Sequence, residues 1–222
     1  MSEGLRERKK RKTRKHISDV AIGLFVERGF EQVTIAEVAA AAEVSVNTLY
    51  NYFPSKEDLV LPPDEASPQR LADIVRERAA GRSAAGAVLA RLREELGERD
   101  RKLGLTAGFG RVLEMMRSAP TLRARLEDLG QQMTDALAEV LAEETGAAPG
   151  DPLPRAVAWH VGCLHSLVFA EIGRRVAAGE RPDAIADAVL ELLDVTEGLL
   201  GDRVLTFAVR GGRVTTHAEG ED

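Results

Sequence analysis

Between Ser45 and Tyr52 the chain packs Ser45, Val46, Asn47, Thr48, Tyr50, Asn51 and Tyr52, a run with no carboxylate, ammonium or guanidinium group. Hydroxyls and carboxamides at this density do hydrogen-bonding chemistry. Asn forms a bidentate pair with adenine, Val meets a thymine methyl, and Ser, Thr and Tyr hydroxyls suit phosphate oxygens and sugars. A helix face left merely to solvent more often carries Lys and Glu.

Other chemistries find weaker support. His160, Cys163 and His165 are close in sequence. On a helix, however, His160 and Cys163 lie about 60° apart while His165 lies about 140° from His160, so the three do not converge on a metal. The chain has no phosphate-binding Gly-x4-Gly-Lys-Ser/Thr loop, no His-Glu-x-x-His, no Glu-x-x-His pair and no Gly-x-Ser-x-Gly elbow. No catalytic residue, metal or cofactor is therefore expected. The alternative kept open is a helical small-molecule-binding protein or enzyme whose head does not bind DNA specifically.

The polar run needs elements to present it. Ile17, Val20, Ala21, Leu24 and Phe25 fall at i, i+3, i+4, i+7 and i+8, one helical stripe from Thr13 that Gly29 ends. A second helix opens at Thr34, where Thr34 and Glu37 have capping-box spacing and Val33 and Val38 occupy the staple positions. Ser45 caps a third helix, which Pro54 stops, and Ser55 with Asp58 caps a short fourth cut off at Pro62–Pro63. Leu49 and Phe53, four residues apart, point inward, which leaves Val46, Asn47, Tyr50 and Asn51 on the far side. Tyr50 and Tyr52 cannot both also serve as core. Helix, tight turn, helix over 34–53 is a helix-turn-helix.

Charge divides the chain in the same place. Residues 1–56 carry ten Lys/Arg against seven Asp/Glu, and the remainder twenty against twenty-nine, within a formal net charge of −6. A basic head on an acidic body argues against a sequence-blind DNA packager. Residues 1–12 read as a mobile basic arm that tracks phosphates or stays solvated. One cysteine in 222 residues excludes an intrachain disulfide framework and fits a reducing, cytoplasmic setting. The basic N-terminus is not followed by an apolar core, so no signal peptide is expected. The longest uncharged stretch, Ala156 to Ala170, falls short of the roughly 20 apolar residues a bilayer needs, so it reads as a buried helix and no membrane partner is expected.

The segments Ala21-Ile-Gly-Leu-Phe-Val-Glu-Arg-Gly-Phe30, Val33-Thr-Ile-Ala-Glu-Val-Ala39 and Val44-Ser-Val-Asn-Thr-Leu-Tyr-Asn-Tyr-Phe-Pro-Ser-Lys-Glu-Asp-Leu59 resemble the DNA-binding domain of TetR-family transcriptional regulators. That likeness covers residues 13–60 and is carried most specifically by the run from Leu49 to Glu57. It implies an all-α homodimer: an N-terminal three-helix helix-turn-helix domain (13–60) joined to a C-terminal helical ligand-binding and dimerisation domain (61–200). Residues 201–222 are expected to be a flexible tail. It also implies a regulator, most simply a repressor, that leaves a near-palindromic double-stranded operator when a small hydrophobic or acyl-coenzyme-A-like effector binds. Lys56–Pro63 and Ala119–Leu126 look like the subgroup with acyl-coenzyme-A-like effectors. By the same resemblance Thr34 donates to a phosphate, Ser45, Thr48, Tyr50 and Tyr52 contact phosphates and sugars, Lys56 clamps a phosphate, and Val46, Asn47 and Asn51 face bases. Two positions depart from the common pattern. Glu43 stands where the turn often has Gly, and Val46-Asn47 replace a frequent basic residue and Gly.

Past residue 62 the reading rests on periodicity and breakers. Helices are expected at 68–80, 83–98, 102–117, 120–145, 153–178 and 183–200. Gly162, Ser166 and Ala170, with Ile185, Val189, Leu192 and Leu199, form faces suited to a four-helix seam between two copies; an intramolecular core is the competing use. Phe109, Leu113, Met116, Met133 and Trp159 are the pocket candidates, apolar and adaptable. Gly104, Gly108 and Gly110 weaken the adjoining helix. Val204 to Thr216 is read as either a hairpin about Gly211-Gly212 or disordered chain.

Overall fold

The computed structural model describes residues 4–61, 66–99, 103 and 109–211, in which helices are joined by turns and short irregular segments, with no strand among the described residues. The elements are α1 (Leu5–Arg28), α2 (Ile35–Ala41), α3 (Val46–Tyr52), a 3-10 turn (Glu57–Leu59), α4 (Arg70–Glu77), α5 (Ala84–Gly97), α6 (Phe109–Ser118), α7 (Pro120–Thr145), α8 (Pro152–Ala177), α9 (Pro182–Leu199) and α10 (Asp202–Leu205).

The start and stop signals operate as chemistry. Thr34 Oγ1 accepts from the Glu37 amide at 3.3 Å and Glu37 Oε2 accepts from the Thr34 amide at 2.8 Å, a complete capping box. Ser45 Oγ accepts from the Thr48 amide at 3.0 Å, and Ser83 and Asp151 cap α5 and α8 the same way. Gly29 ends α1 at φ 89°, a conformation that would strain a side chain.

The head core is Ile17, Ala21 and Phe25 of α1 against Val38 and Ala39 of α2 and Leu49 and Phe53 at α3, with Phe30 meeting Phe25 edge-on at 4.9 Å. Ser18 adds a buried donor to the Leu59 carbonyl at 2.7 Å, tying α1 to the 3-10 turn. This core is not closed by the head alone. Met115, Met116, Ala119 and Leu122, at the corner between α6 and α7, are buried within it. The body core is separate and centres on the α7–α8 pair, flanked by α4, α5 and α9. Glycine permits two of its close helix crossings. A Cβ on Gly162 would sit 2.4 Å from Thr134 Oγ1 of α7, and one on Gly110 would sit 3.0 Å from the Val176 carbonyl of α8.

Two end segments differ from expectation. Residues 5–12 are not a loose arm but the first turns of α1, all-polar after Leu5 and continuous with the buried stripe. The expected flexible tail is ordered at least to Gly211: α10 is followed by a turn that lays Val204, Leu205, Phe207 and Ala208 on the body core. Backbone bonds from Gly81 to the Arg210 carbonyl (2.9 Å) and from Arg210 to the Arg82 carbonyl (3.0 Å) fix it, so apolar burial decides the matter where the local sequence left two readings. The hairpin's proposed tip at Gly212 and the rest of the tail lie outside the described residues, as do Pro62, Pro63, Gly104 and Gly108. α8 is long and apolar enough on composition to cross a membrane, but half of that window is buried against its neighbours.

Arg78 locks the tail to the body. Its side chain, 2% exposed, donates to Glu144 through two nitrogens, to the Arg82 and Ala208 carbonyls at 3.1 and 2.7 Å, and to the Val75 carbonyl. Removing the guanidinium leaves buried carbonyls without their donor while Glu144, 31% exposed, rehydrates, and typically costs about 1–3 kcal/mol. Arg78→Ala is expected to lower stability on that scale in urea denaturation while the far-ultraviolet spectrum stays helical; a loss below about 1 kcal/mol would show that the network is dispensable.

Candidate nucleic-acid interface

The α3 backbone fixes what each of its side chains faces. Leu49 and Phe53 are fully buried on α1 and α2, so the opposite side must look outward. Val46 is 41% and Tyr50 49% exposed, and Asn47 and Asn51 are exposed beside them. One uncharged face of a seven-residue helix is thereby presented, and none of the described elements covers it. Tyr52 is half-buried and packs on the head core, and Thr48 is half-buried with its hydroxyl 2.7 Å from Ser45 Oγ. Thr34 and Ser45, each at a helix start, are exposed at the edges of this face.

The turn that aims α3 carries strain. Glu43 sits at φ 56°, the left-handed conformation the missing glycine foretold, and costs about 1 kcal/mol relative to the right-handed region. The Ala42 and Val44 amides bond back to Val38 and Ala39 at 2.9 Å and hold the bend despite that cost.

Charged groups brace the face from behind. Arg14 of α1 lies 5.0 Å from the Phe53 ring centroid. The Lys56 ammonium lies 4.4 Å from the Phe30 ring centroid and 5.5 Å from that of Phe25, and donates to the Phe30 carbonyl at 2.5 Å. Lys56 thus braces the α1–α2 turn, and a phosphate contact requires its ammonium to swing off those rings. Glu37 is shared: beyond the cap it accepts from the Thr34 hydroxyl at 2.8 Å and from Arg28 at 2.6 Å. Neither Arg14 nor Arg28 was singled out in the sequence. The periodicity of α1 marks which residues are apolar, not which cation reaches across to another helix.

In the body the expected sites divide. Gly162, Ile185 and Val189 are buried inside the single chain, Ile185 at 1% and Val189 at 0% exposure, so they are core residues and not a seam. Their apolar period was read correctly but faces inward. Ser166, Ala170 and Leu199 are exposed and Leu192 is half-buried. The outward stripe is completed by residues the periodicity did not select: His160, Cys163 and Leu167 on α8, and Val195 on α9. Trp159, expected in a pocket, stands 60% exposed on that same outer stripe. The remaining pocket candidates do not come together in one pocket. Met116 belongs to the head core, Met133 to the body core, and Leu113 packs half-buried at the head core edge; the Phe109 side chain lies outside the described residues. Two surface grooves, about 480 Å³ where the head meets α7 and about 410 Å³ between α4 and α5, contain none of the five. Among the described residues no cluster of His, Cys, Asp and Glu has metal-binding geometry.

A helix-turn-helix head with an open polar reading helix, mounted on a helical body, defines a DNA-binding transcriptional regulator. Residues 17–61 match the sequence profile of bacterial regulatory proteins of the tetR family, and residues 110–196 that of the MftR C-terminal domain. The chain belongs to the TetR family. It is 30% identical over 178 residues to the HTH-type transcriptional regulator TcmR of Streptomyces glaucescens, covering 78% of this chain and 75% of that one. It is 29% identical over 155 residues to the putative mycofactocin biosynthesis transcriptional regulator MftR of Mycobacterium tuberculosis, covering 68% and 75%. Its fold matches that of NalD, the secondary repressor of the MexAB-OprM multidrug efflux pump in Pseudomonas aeruginosa, with a TM-score of 0.54 at 20% identity, covering 84% of this chain and 97% of NalD.

The Glu37 network has a pH signature. The Thr34 amide first, then Arg28, stabilise the charged carboxylate and hold its pKa near 2, against 4.5 for an ordinary glutamate. A depressed carboxylate stabilises the folded state fully above the unfolded value, and the contribution is lost as pH falls from about 4.5 through about 2. Carboxyl-detected NMR is expected to show Glu37 titrating well below the exposed glutamates, and Glu37→Gln to flatten stability over that window. A Glu37 midpoint near 4.5 would mean that the cap is frayed in solution.

Proposed function

We propose that the chain is a ligand-responsive repressor, regulatory and not catalytic, acting in the cytoplasm as a homodimer on a near-palindromic operator. The observation that carries this reading is the outward, uncharged α3 face held by inward Leu49 and Phe53. Val46, Asn47 and Asn51 read base edges in the major groove, while Thr34, Ser45, Thr48, Tyr50, Tyr52 and a released Lys56 hold phosphates and sugars. Phosphate neutralisation supplies much of the affinity, so binding weakens steeply with salt.

The second copy covers the α8–α9 stripe. Trp159, Leu167, Val195 and Leu199 expose a combined apolar face that a soluble monomer rarely leaves bare, and two helices from each copy make a four-helix seam. A dimer sets the two reading helices about one duplex turn apart, which is what a palindromic site requires. The effector is a small hydrophobic molecule taken up by the body. It releases DNA only as far as it favours the head spacing that misfits the operator.

Two outcomes test the reading once in vitro selection has supplied a bound sequence. Asn47→Ala is expected to relax preference at one base position by about 1–3 kcal/mol without changing the salt slope. A uniform loss across sequences would move Asn47 from the bases to the backbone. The double variant Val195→Asp, Leu199→Asp is expected to sediment as a folded monomer and to bind the operator far more weakly, whereas a wild-type monomer at micromolar concentration would remove the dimer from the account.

A further inference from the structure

Head and body meet along the first turns of α7, where the polar side chains are less well matched than the apolar ones. Leu122 of α7 is fully buried in the head core, and Arg125, three residues on, lies on the same side of that helix. Its guanidinium stands between two carboxylates. Asp58 Oδ1 of the 3-10 turn is 3.6 Å away across the joint, and Asp128 Oδ2 of α7 itself is 3.3 Å away. The two carboxylates are unlike. Asp128 is exposed and already accepts from Gln132 at 2.7 Å. The Asp58 side chain is 7% exposed; its Oδ2 accepts from the Ser55 amide at 3.0 Å, while Oδ1 is buried without a hydrogen-bond donor. At 3.6 Å Arg125 attracts that oxygen without bonding it. Thr121, one turn earlier on α7, meets Glu31 of the head at 3.5 Å, the outer limit of a hydrogen bond. A groove of about 480 Å³ lies beside the half-buried Arg125 side chain and leaves it room to move.

We propose that Arg125 is a positioning residue for the DNA-reading head: a latch with two seats, which steadies the head when it bonds Asp58 and frees it when it turns to Asp128. The Asp58 seat has the greater need of a donor. A buried carboxylate oxygen left unmet is penalised, whereas Asp128 has both water and Gln132. A closure of roughly 0.7 Å between α7 and the 3-10 turn brings the 3.6 Å gap to the length of a charge-assisted bond. The turn fixed in this way carries Lys56, and the reciprocal Asp58–Ser55 bonds tie it to Pro54 and the end of α3. A head held in one orientation loses less freedom on docking, so the Asp58 seat is the DNA-competent one. The latch thus adds a reversible polar contact to the shared apolar wall, and any repacking of the body that tilts α7 changes its seat.

This inference rests on the reading of the chain as a DNA-binding regulator, and the experiment separates the two. Full-length wild type, Arg125→Met, Asp58→Asn, Asp128→Asn and the double variant Asp58→Asn, Arg125→Met are titrated onto a DNA found by in vitro selection. Fluorescence anisotropy is read at several salt concentrations, with urea denaturation to confirm folding. Asn at position 58 keeps an oxygen for the Ser55 amide, and the Arg125 and Asp128 side chains, 40% and 54% exposed, can be replaced without opening the core. Arg125→Met and Asp58→Asn are each expected to weaken binding roughly tenfold, the lower end of what a charge-assisted hydrogen bond supplies. The double variant is expected to lose no more than either, since both changes empty the same seat. Asp128→Asn is expected to tighten binding by up to about twofold, the most available when the two seats are equally filled, whereas a merely structural Asp58–Arg125 pair leaves it neutral. The sign at Asp58 is decisive: loss of a negative charge by itself favours the polyanion, whereas loss of the latch weakens binding. The salt slope of Arg125→Met is expected to match wild type, because a guanidinium that itself touched a phosphate takes about one unit of slope with it. Unchanged or tighter binding by Arg125→Met or Asp58→Asn, additive losses in the double variant, Asp128→Asn no tighter than wild type, or a slope lowered by about one in Arg125→Met would each overturn the latch. Wild-type binding alongside any of these leaves the regulator standing, and a wild type that binds no selected DNA removes both.

Discussion

The head cannot finish its own core, and much else follows from that shortage. The three head helices enclose a small apolar surface, and small domains bury a smaller share of their surface than large ones. Here Met115, Met116, Ala119 and Leu122 from the α6–α7 corner supply the missing wall. The helix-turn-helix and the helices that form the body therefore share one buried cluster, and neither can tilt without the other repacking. Interiors of this density move between discrete arrangements more readily than they deform, which is the property a two-state regulator needs. Around this shared wall, Asp58 of the 3-10 turn faces Arg125 of α7 at 3.6 Å, and Arg125 also reaches Asp128, so the joint carries charge on its rim as well as apolar contact at its centre.

What the sequence made legible was whatever depends on near neighbours. The caps at Thr34, Ser45 and Ser55, the stop at Gly29, the strain at Glu43 and the inward turn of Leu49 and Phe53 all follow from interactions within a few residues, and the structure has each of them. The seven segments that the breakers delimit past Ser55 correspond to the 3-10 turn and α4 to α9, with residues 102 and 104–108 of the segment expected at 102–117 lying outside the described residues. What stayed illegible depends on the third dimension. An apolar stripe on α9 announces that one side is covered, but not by what; Ile185 and Val189 turn inward while Val195 and Leu199 turn out, on the same helix. Trp159 shows the converse, a large aromatic that chemistry alone would bury and that geometry leaves on the surface. The reach of Arg78 to Glu144 and Ala208, across 66 and 130 residues of chain, has no local signature at all.

The two polar clusters inside the body do different work. Around Arg78 five acceptors surround one guanidinium, and the result is a fastening between the chain's last described segment and the α4–α5 turn. Around Arg70 the count falls short, with one carboxylate engaged and the Nε unmet. Satisfied networks give rigidity and a unique packing, whereas an unpaired buried polar group costs stability.

The first turns of α1 bear on how the molecule travels. Arg6, Arg8, Lys9, Lys10, Arg11, Lys12, Arg14 and Lys15 sit at one extremity, along a helix whose orientation is fixed by the buried stripe further on, while the acidic surplus lies in the body. Rigid separation of unlike charge gives the whole chain a permanent moment. In the field of a polyanion such an object rotates before it arrives, leading with its cationic end, so a larger share of collisions is productive than blind tumbling would allow.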